Sequence, residues 1–173
     1  MLPTLLTECS DFLIKSKGLP LIKNLPKTYE GFKKIKVRKK KNINKNFVKS
    51  FNESFTSYKD IIQRSVFANT VELCNENYEP FYIFPINKFK FMYNPVVRNT
   101  TDHYEEFFRK ITSWLNEDDG KKVFSDVIKT HFNSDNLHEG LMLKSEIIIY
   151  GINYYYGIRK TLIDDYKSFI YDV

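Results

Sequence analysis

The fold is decided by the stretch SEIIIYGINYYYGI, residues 145–158. Three consecutive isoleucines and three consecutive tyrosines are β-branched and aromatic residues, which favour strands. Gly151 and Asn153 separate the two runs, and both residue types mark turns. The pattern therefore predicts two paired strands, at residues 146–150 and 154–158.

Shorter strand patterns come before this pair in the chain. Residues 32–38 alternate, with Ile35 and Val37 on one side and basic residues on the other. Residues 64–68, 80–85 and 89–93 also read as strands. The last two are separated by three residues only, so they are predicted to form a hairpin.

Helical patterns fill most of the remaining chain. The apolar spacing predicts helices over residues 43–58 and 102–116, and the pair Asp102 and Glu105 resembles a capping box. Gly120 is expected to separate the second of these helices from a third, which carries Phe124 and Ile128. A short closing helix is predicted after residue 158.

The N-terminal part is predicted to hold one helix and a connector. Apolar residues from Leu5 to Leu13 recur at helical spacing, Thr4 can cap the start, and Gly18 can close the end. Residues 19–31 contain Pro20, Pro26 and Gly31, and they are expected to form a loop.

These patterns intermix without a regular β-α-β alternation, which favours the α+β class over a doubly wound sheet. We expect a central, mostly antiparallel sheet flanked by helices. The chain has 173 residues, close to the usual size of one domain. The predicted single domain, 1–173, consists of a helix and connector at 1–31, the sheet region at 32–158 and the closing helix at 159–173.

The cysteines and the absence of common motifs indicate the cellular compartment and exclude several classes of active site. The two cysteines, Cys9 and Cys74, have no metal-ligand spacing, and no apolar stretch approaches the roughly 20 residues of a membrane span. A cytoplasmic protein with free thiols is expected, with no membrane contact and no metal site. Phosphate-loop, dinucleotide and zinc-protease signatures are absent from the sequence. Cys9 lies on the apolar side of the first helix and is predicted to pack in the core.

Positive charge is concentrated in the N-terminal third. Residues 15–50 hold 13 lysine and arginine residues and one acid, Glu30, whereas the whole chain carries a net charge of +6. This asymmetry points to a polyanion partner or to an ordinary solvated lysine-rich surface. Only five of the 27 basic residues are arginine, so plain charge attraction is favoured over base-specific recognition.

The most basic run suggests a nucleic-acid contact. Lys36, Lys39, Lys40 and Lys41 are the candidate phosphate-binding residues, and each phosphate contact would add salt-dependent affinity. The flanking Phe32 and Phe47 are candidates for stacking on single-stranded bases. Their spacing, however, matches packing against a core better than display to solvent.

One acid stands out. Glu146 opens the otherwise apolar strand of residues 145–150. A charge at such a position either caps the edge of a sheet or points into a cleft. A solvated residue at the start of a strand is the more common outcome.

Four segments, in order, carry a resemblance to known proteins: FKKIKVR at 32–38, RSVFAN at 64–69, FYIFPINKFKFMY at 81–93 and EIIIYGINYYY at 146–156. Together they resemble small accessory proteins of tailed bacteriophages and, more distantly, the ADP-ribosyltransferase fold. The resemblance covers residues 32–158.

The resemblance implies an enzyme that uses NAD and transfers ADP-ribose to a host protein or nucleic acid. It implies that Arg38 holds the dinucleotide, Ser65 shapes the pocket and Glu146 is the catalytic glutamate. A carboxylate beside the ribose would stabilise the oxocarbenium-like state formed when nicotinamide leaves. The alternative is a non-catalytic basic protein that binds nucleic acid or serves as a phage structural or host-interaction factor.

Overall fold

The structure is a computed structural model that describes residues 2–40, 43–55, 61–69 and 76–171. Short helices and short strands alternate irregularly along these residues. The helices are α1 (Leu2–Glu8), α2 (Ser10–Ser16), α3 (Lys45–Ser54), α4 (Thr100–Trp114), α5 (Glu117–His131), α6 (Leu137–Met142) and α7 (Lys167–Tyr171), with a 3-10 helix at Lys160–Asp165. The strands are β1 (Ile22–Pro26), β2 (Phe32–Lys36), β3 (Val66–Ala68), β4 (Tyr78–Pro85), β5 (Lys90–Tyr93), β6 (Ile147–Tyr150) and β7 (Tyr154–Arg159).

The strands form two antiparallel sheets. One sheet has four strands in the order β1-β4-β7-β2, and the other has three in the order β3-β6-β5. A bridge between Ile22 and Asn69 joins the edge of the first sheet to the edge of the second. The α+β class and the antiparallel pairing are confirmed, and the single predicted sheet is in fact two.

The isoleucine run forms the central strand of the three-stranded sheet. In β6, Ile147, Ile148 and Ile149 are all fully buried. Because successive side chains of a strand point to opposite faces, Ile148 lies in one core, while Ile147 and Ile149 lie in the other. The run of three apolar residues thus reflects a strand that is covered on both faces.

Two hydrophobic cores lie on the two sides of this sheet. The first joins α1, α2 and α6 to the four-stranded sheet, and the second is formed where α3, α4 and α5 cover β6. Members of the first core include Leu5, Cys9, Phe12, Phe84, Tyr156 and Leu141. Members of the second include Phe47, Phe51, Tyr104, Phe108, Phe124, Ile128 and Met92.

Cys9 packs in the first core, as predicted. Its side chain is fully buried and its thiol donates to the carbonyl of Phe84 at 3.4 Å. Burial raises the pKa of Cys9 to about 12, so this thiol is an inert packing group. Cys74 lies outside the described residues.

Both predicted hairpins are wrong. Strand β4 belongs to the four-stranded sheet and β5 to the three-stranded sheet, and β6 and β7 are divided in the same way. The short connections contain residues with positive φ, Lys88 at 66° and Gly151 at 77°. At these positions the chain turns from one sheet into the other instead of folding back on its neighbour.

The N-terminal predictions also need correction. The first helix is interrupted at Cys9, so α1 and α2 are separate, and α1 begins at Leu2, ahead of Thr4. The expected loop at residues 19–31 contains β1, which pairs on one side with β4. Pro26 ends this strand at the edge of its sheet, a position that tolerates a residue without an N–H donor.

Asparagine side chains cap the start of four helices. Asn44, Asn99, Asn116 and Asn136 each accept hydrogen bonds from backbone N–H groups in the first turn of α3, α4, α5 and α6. This is the capping role that asparagine performs well. Helix α4 therefore begins after Asn99, not at the predicted capping box.

Gly120 lies inside α5 and does not separate two helices, contrary to the prediction. The break between α4 and α5 falls at residues 115–116. A Cβ atom at Gly120 would lie 3.2 Å from the Cα of Thr112 in α4. The missing side chain is what permits the close approach of the two helices.

None of the helices within the described residues is long and apolar enough to cross a membrane.

Gly157 offers a test of the packing inside the four-stranded sheet. A Cβ atom there would lie 2.9 Å from Ile35 Cδ1 and 3.4 Å from Phe81 Cδ1. We expect Gly157→Ala to lower the free energy of unfolding by about 2 kcal/mol through overpacking, as measured by urea denaturation.

The matched control is Ile35→Val, which removes the crowded Cδ1 atom. Alone, it should cost about 1 kcal/mol by opening a cavity. In the Gly157→Ala background it should cost less or stabilise the protein, because it relieves the clash. Additive effects of the two changes would contradict this account of the packing.

Candidate nucleic-acid interface

A basic cavity lies where the chain leaves β2. The backbone N–H of Val37 donates to the carbonyl of Asn153 at 2.8 Å, and that of Lys40 donates to Gln63 at 2.9 Å. These two bonds hold residues 37–40 against the turn after β6 and against the segment before β3. The result is a cavity of about 510 Å³, lined by Lys36, Val37, Lys39, Arg64, Ile152 and Asn153.

The described residues that line this cavity include three basic side chains and no acid. Lys36 and Lys39 are exposed, and neither has an acidic partner within the described part of the chain. Two other lysines of the basic third are paired with acids. Lys34 lies 3.6 Å from Glu8, and Lys49 lies 3.9 Å from Glu53. Lys36 and Lys39 thus bring two positive charges without an acidic partner among the described residues to this cavity.

Of the predicted phosphate-binding lysines that the structure describes, two line the cavity and one does not. Lys36 and Lys39 line the cavity, as described. Lys40 is partly buried instead, and its ammonium group lies 3.3 Å from the centroid of the Phe67 ring. Lys41 lies outside the described residues. The pairing of Lys40 with an aromatic face removes it from the predicted surface.

Phe32 and Phe47, the candidates for base stacking, both pack inside the protein, which is the alternative that their spacing favours. Phe47 is fully buried in the second core, against Phe51 and Phe124. Phe32 packs edge-on against Tyr156 and Tyr166. Both rings are used in packing, which is what their apolar spacing also allowed.

Glu146 lies just before β6 and is nearly buried, with 9% of its surface exposed. Its Oε2 atom accepts a hydrogen bond of 2.7 Å from the backbone N–H of Thr100, the first residue of α4. A carboxylate at a helix N-terminus satisfies an orphan donor and interacts favourably with the helix dipole. Of the two readings of Glu146, the structure favours a cap, although it caps a helix and not a sheet edge.

The three residues that the resemblance implies for NAD are not brought together. In the register of β3 and β6, Ala68 faces Ile147 and Val66 faces Ile149. Ser65 and Glu146 therefore lie at opposite ends of this strand pair, about 13 Å apart along the strands, at about 3.3 Å per residue.

Arg38 is exposed beyond the end of β2. Burial raises the pKa of Tyr155, and the positive charge of Arg38 nearby counters part of that rise.

A partly buried charge cluster, formed by Lys23, Lys40 and Glu146, lies at the junction of the two sheets. The ammonium group of Lys23 donates to the carbonyl of Phe67 at 2.9 Å, directly beside the ring that Lys40 covers. Burial raises the pKa of Glu146, while hydrogen bonds from Thr100 and the charges of Lys40 and Lys23 counter the rise. The cluster therefore combines one carboxylate with two ammonium groups in surroundings with limited access to water.

Two histidines with nearby acids, His131 and His138, hydrogen-bond to different elements. Nδ1 of His131 lies 3.0 Å from the Tyr104 hydroxyl, and Nδ1 of His138 lies 3.1 Å from the carbonyl of Ser16. Across the described ranges, no group of three or more His, Cys, Asp or Glu side chains could hold a metal ion.

Sequence reasoning missed two of the residues that matter here. Arg64 lines the basic cavity, but an isolated arginine before a strand carries no signal of its own. Lys23 lies between Pro20 and Pro26, in the segment for which the sequence predicts a loop. The apolar residues Ile22 and Leu25 beside it are the sign in the sequence that this segment is not an exposed loop.

Comparison of the chain with family models, with curated proteins and with solved structures found no match. Its function is therefore argued from the charges and the geometry described above.

Proposed function

We propose that this protein binds the phosphate backbone of nucleic acid through the basic cavity. The observation that carries the proposal is the convergence of Lys36, Lys39 and Arg64 on one cavity without an acid among its described lining residues. Ammonium and guanidinium groups are the side chains that contact phosphate oxygens most often.

The geometry favours binding without sequence preference. Both candidate stacking rings, Phe32 and Phe47, are used in packing, so base stacking contributes nothing through them. Lysines act on phosphates as point charges and do not read base edges in a bidentate way. The polar side chain of Asn153 also lines the cavity, where its amide can donate to a phosphate or sugar oxygen.

The test is the salt dependence of binding. We expect labelled 20-nucleotide single strands and duplexes to bind, as measured by fluorescence anisotropy between 20 and 200 mM salt. Three phosphate contacts predict that log K falls with log salt at a slope of about −2 for single strands and about −3 for duplexes. Equal affinity across sequences of different base composition is expected at each salt concentration.

Two results would overturn the proposal: no binding at 20 mM salt, or binding that salt does not change. Inorganic polyphosphate serves as the matched competitor. If polyphosphate displaced the oligonucleotide equally well per charge, the cavity would bind polyanions in general and would not be specific for nucleic acid.

ADP-ribosyl transfer from NAD, which the resemblance implies, stays a prediction. The placement of Ser65 and Glu146 at opposite ends of one strand pair does not support it, and neither does the hydrogen bond that commits Glu146 to α4. Its test is the transfer of label from tagged NAD to lysate proteins or nucleic acid, with Glu146→Gln as the control.

A further inference from the structure

A second cavity, of about 330 Å³, lies where the chain leaves β5. Tyr93 at the end of β5 pairs with Ile147 at the start of β6, whereas the basic cavity includes Ile152 and Asn153, which follow the end of β6. The two cavities therefore lie at opposite ends of β6, and they share no described lining residue. The described residues that line the second cavity include Pro95, Val96, Val97, His103, His131 and Asn133.

The side chain of Asn94, which also lines this cavity, is held in one orientation. Its Oδ1 atom accepts hydrogen bonds from the backbone N–H groups of Val96 at 2.8 Å and Val97 at 3.1 Å. Because only the oxygen of an amide can accept, these two bonds distinguish Oδ1 from Nδ2. Nδ2 lies 2.5 Å from the hydroxyl oxygen of Tyr104, and it donates to that oxygen.

Tyr104 passes this order on to a histidine. Its side chain is 1% exposed, and its hydroxyl oxygen lies 3.0 Å from Nδ1 of His131. Since Nδ2 of Asn94 can only donate, the hydroxyl proton of Tyr104 is donated to Nδ1 of His131. A neutral histidine whose Nδ1 accepts carries its proton on Nε2. His131 therefore has a fixed Nε2–H donor on the edge of its ring that faces away from Tyr104.

The described lining residues fit an uncharged, planar ligand with hydrogen-bonding groups. They include no acid, lysine or arginine. The proline and two valines at residues 95–97 offer apolar contacts, and the imidazole of His103 offers a flat face for stacking. Asn133 has its backbone N–H and carbonyl both paired with Tyr93, each at 2.9 Å. Its amide side chain extends from this fixed point and can both donate and accept.

We propose that this cavity binds an uncharged nucleobase-type heterocycle, with a carbonyl oxygen of the ligand accepting from Nε2–H of His131. A cavity of this volume with apolar walls and a few fixed polar groups is typical of small-molecule sites. The proposal goes beyond phosphate binding and does not depend on it, because the basic cavity uses other residues.

The tautomer of His131 is the first test, because it needs no ligand. The chain has three histidines, and His138 provides a contrast. Nδ1 of His138 lies 3.1 Å from the carbonyl oxygen of Ser16, which can only accept, so this Nδ1 carries a proton. Two-bond 1H–15N spectra of 15N-histidine-labelled protein at pH 8 distinguish the two tautomers. We expect Nε2–H at His131 and Nδ1–H at His138, and Nδ1–H at His131 would overturn the assignment of the donor.

The ligand test uses the same labelled protein with uridine, which is uncharged and has two carbonyl groups. We expect the signals of His103 and His131 to shift with a Kd of about 1 mM, while the signals of His138 stay unchanged. The Kd should be the same at 20 and 200 mM salt, unlike the affinity of the basic cavity for phosphates. Failure of this proposal is thus distinguishable from failure of phosphate binding.

The base could belong to a free nucleoside or to a strand, and a second probe separates these sources. A shift of His131 with uridine assigns the cavity to free nucleosides. A shift with a short oligouridylate and not with uridine assigns it to bases within a strand. If neither probe shifted His131, the proposal would be overturned.

Variants separate the hydrogen bond from general contact with the cavity wall. His131→Phe keeps a flat ring without the donor and should weaken uridine binding about 10-fold, read from the signals of His103. Tyr104→Phe removes the hydroxyl that fixes the tautomer, so His131 should show both tautomers and bind uridine about 3-fold more weakly.

His138→Phe is the matched control and should leave the uridine affinity unchanged, because His138 is not among the described lining residues. Thermal melts identify a variant that has lost its fold. Unchanged affinity in a folded His131→Phe variant would contradict the proposed hydrogen bond.

Discussion

Replacing Lys36 and Lys39 together by glutamate is expected to weaken binding of a single-stranded oligonucleotide about 100-fold at 50 mM salt. Each substitution removes a phosphate contact and puts a carboxylate in its place, so each should cost about 10-fold. The slope of log K against log salt should become less steep by about 1.4, the contribution of two lost contacts on single strands. Fluorescence anisotropy across a salt series measures both quantities.

The matched control is Lys122→Glu with Lys129→Glu on α5. Both lysines are exposed on a helix of the second core, and the control changes the net charge by the same amount. Little change in affinity is expected, because long-range attraction alone is largely screened beyond a Debye length of about 10 Å at 0.1 M salt. If both double variants weakened binding equally, net charge and not the cavity would explain the affinity.

The stability of the cavity double variant should match that of the wild type within about 0.5 kcal/mol, since both lysines are exposed and contact no acid within the described residues. A loss of affinity can then be assigned to the surface. This makes the experiment a test of the cavity and not of the fold.

The sequence predicted those parts of the structure that depend on local patterns. The isoleucine run gave a strand, and the apolar spacing gave α3, α4 and α5, because side-chain periodicity follows directly from backbone geometry. Which strands pair was not predictable in this way. Lys88 and Gly151 carry the chain between sheets, and a short connection with a turn residue looks the same in a hairpin.

The residues of the candidate site also divide into those that local sequence patterns predict and those that depend on tertiary contacts. Lys36 and Lys39 could be found because charge density is visible in a sequence, and the cavity needed only that they stay exposed. Lys40 could not be separated from them, because its neighbour Phe67 comes from β3, far away in the chain. Tertiary contacts of this kind decide whether a lysine is an exposed charge or one that packs on an aromatic ring.

Glu146→Ala is expected to lower the free energy of unfolding by about 3 kcal/mol, measured by urea denaturation at pH 7. The substitution leaves the backbone N–H of Thr100 without its acceptor, and it removes the anion beside Lys23 and Lys40. Removing one partner of a buried charge group costs about 3–5 kcal/mol, and partial access of water to Lys40 places the estimate at the lower end.

Glu146→Gln is the matched control. Its amide oxygen keeps an acceptor for Thr100 at nearly unchanged volume, so the loss should be about 1 kcal/mol. The pH dependence gives a second readout. The pKa of Glu146 is raised in the folded state, so between its ordinary value of 4.5 and that raised value the folded protein binds more protons than the unfolded chain. The wild type should therefore gain stability relative to Glu146→Gln as pH falls through this window.

The size of the Glu146→Ala effect also decides what this acid is for. A residue that holds the first turn of α4 against β6 must lower stability when it is removed, whatever the protein binds. If Glu146→Ala kept full stability, the hydrogen bond to Thr100 would be dispensable, and a nearly buried acid without a structural task would need another explanation. ADP-ribosyl transfer would then regain support, because a nearly buried acid that contributes nothing to stability is what a catalytic role predicts. A loss near 3 kcal/mol with unchanged oligonucleotide affinity in the Gln variant would assign Glu146 to the fold and leave the basic cavity as the functional surface.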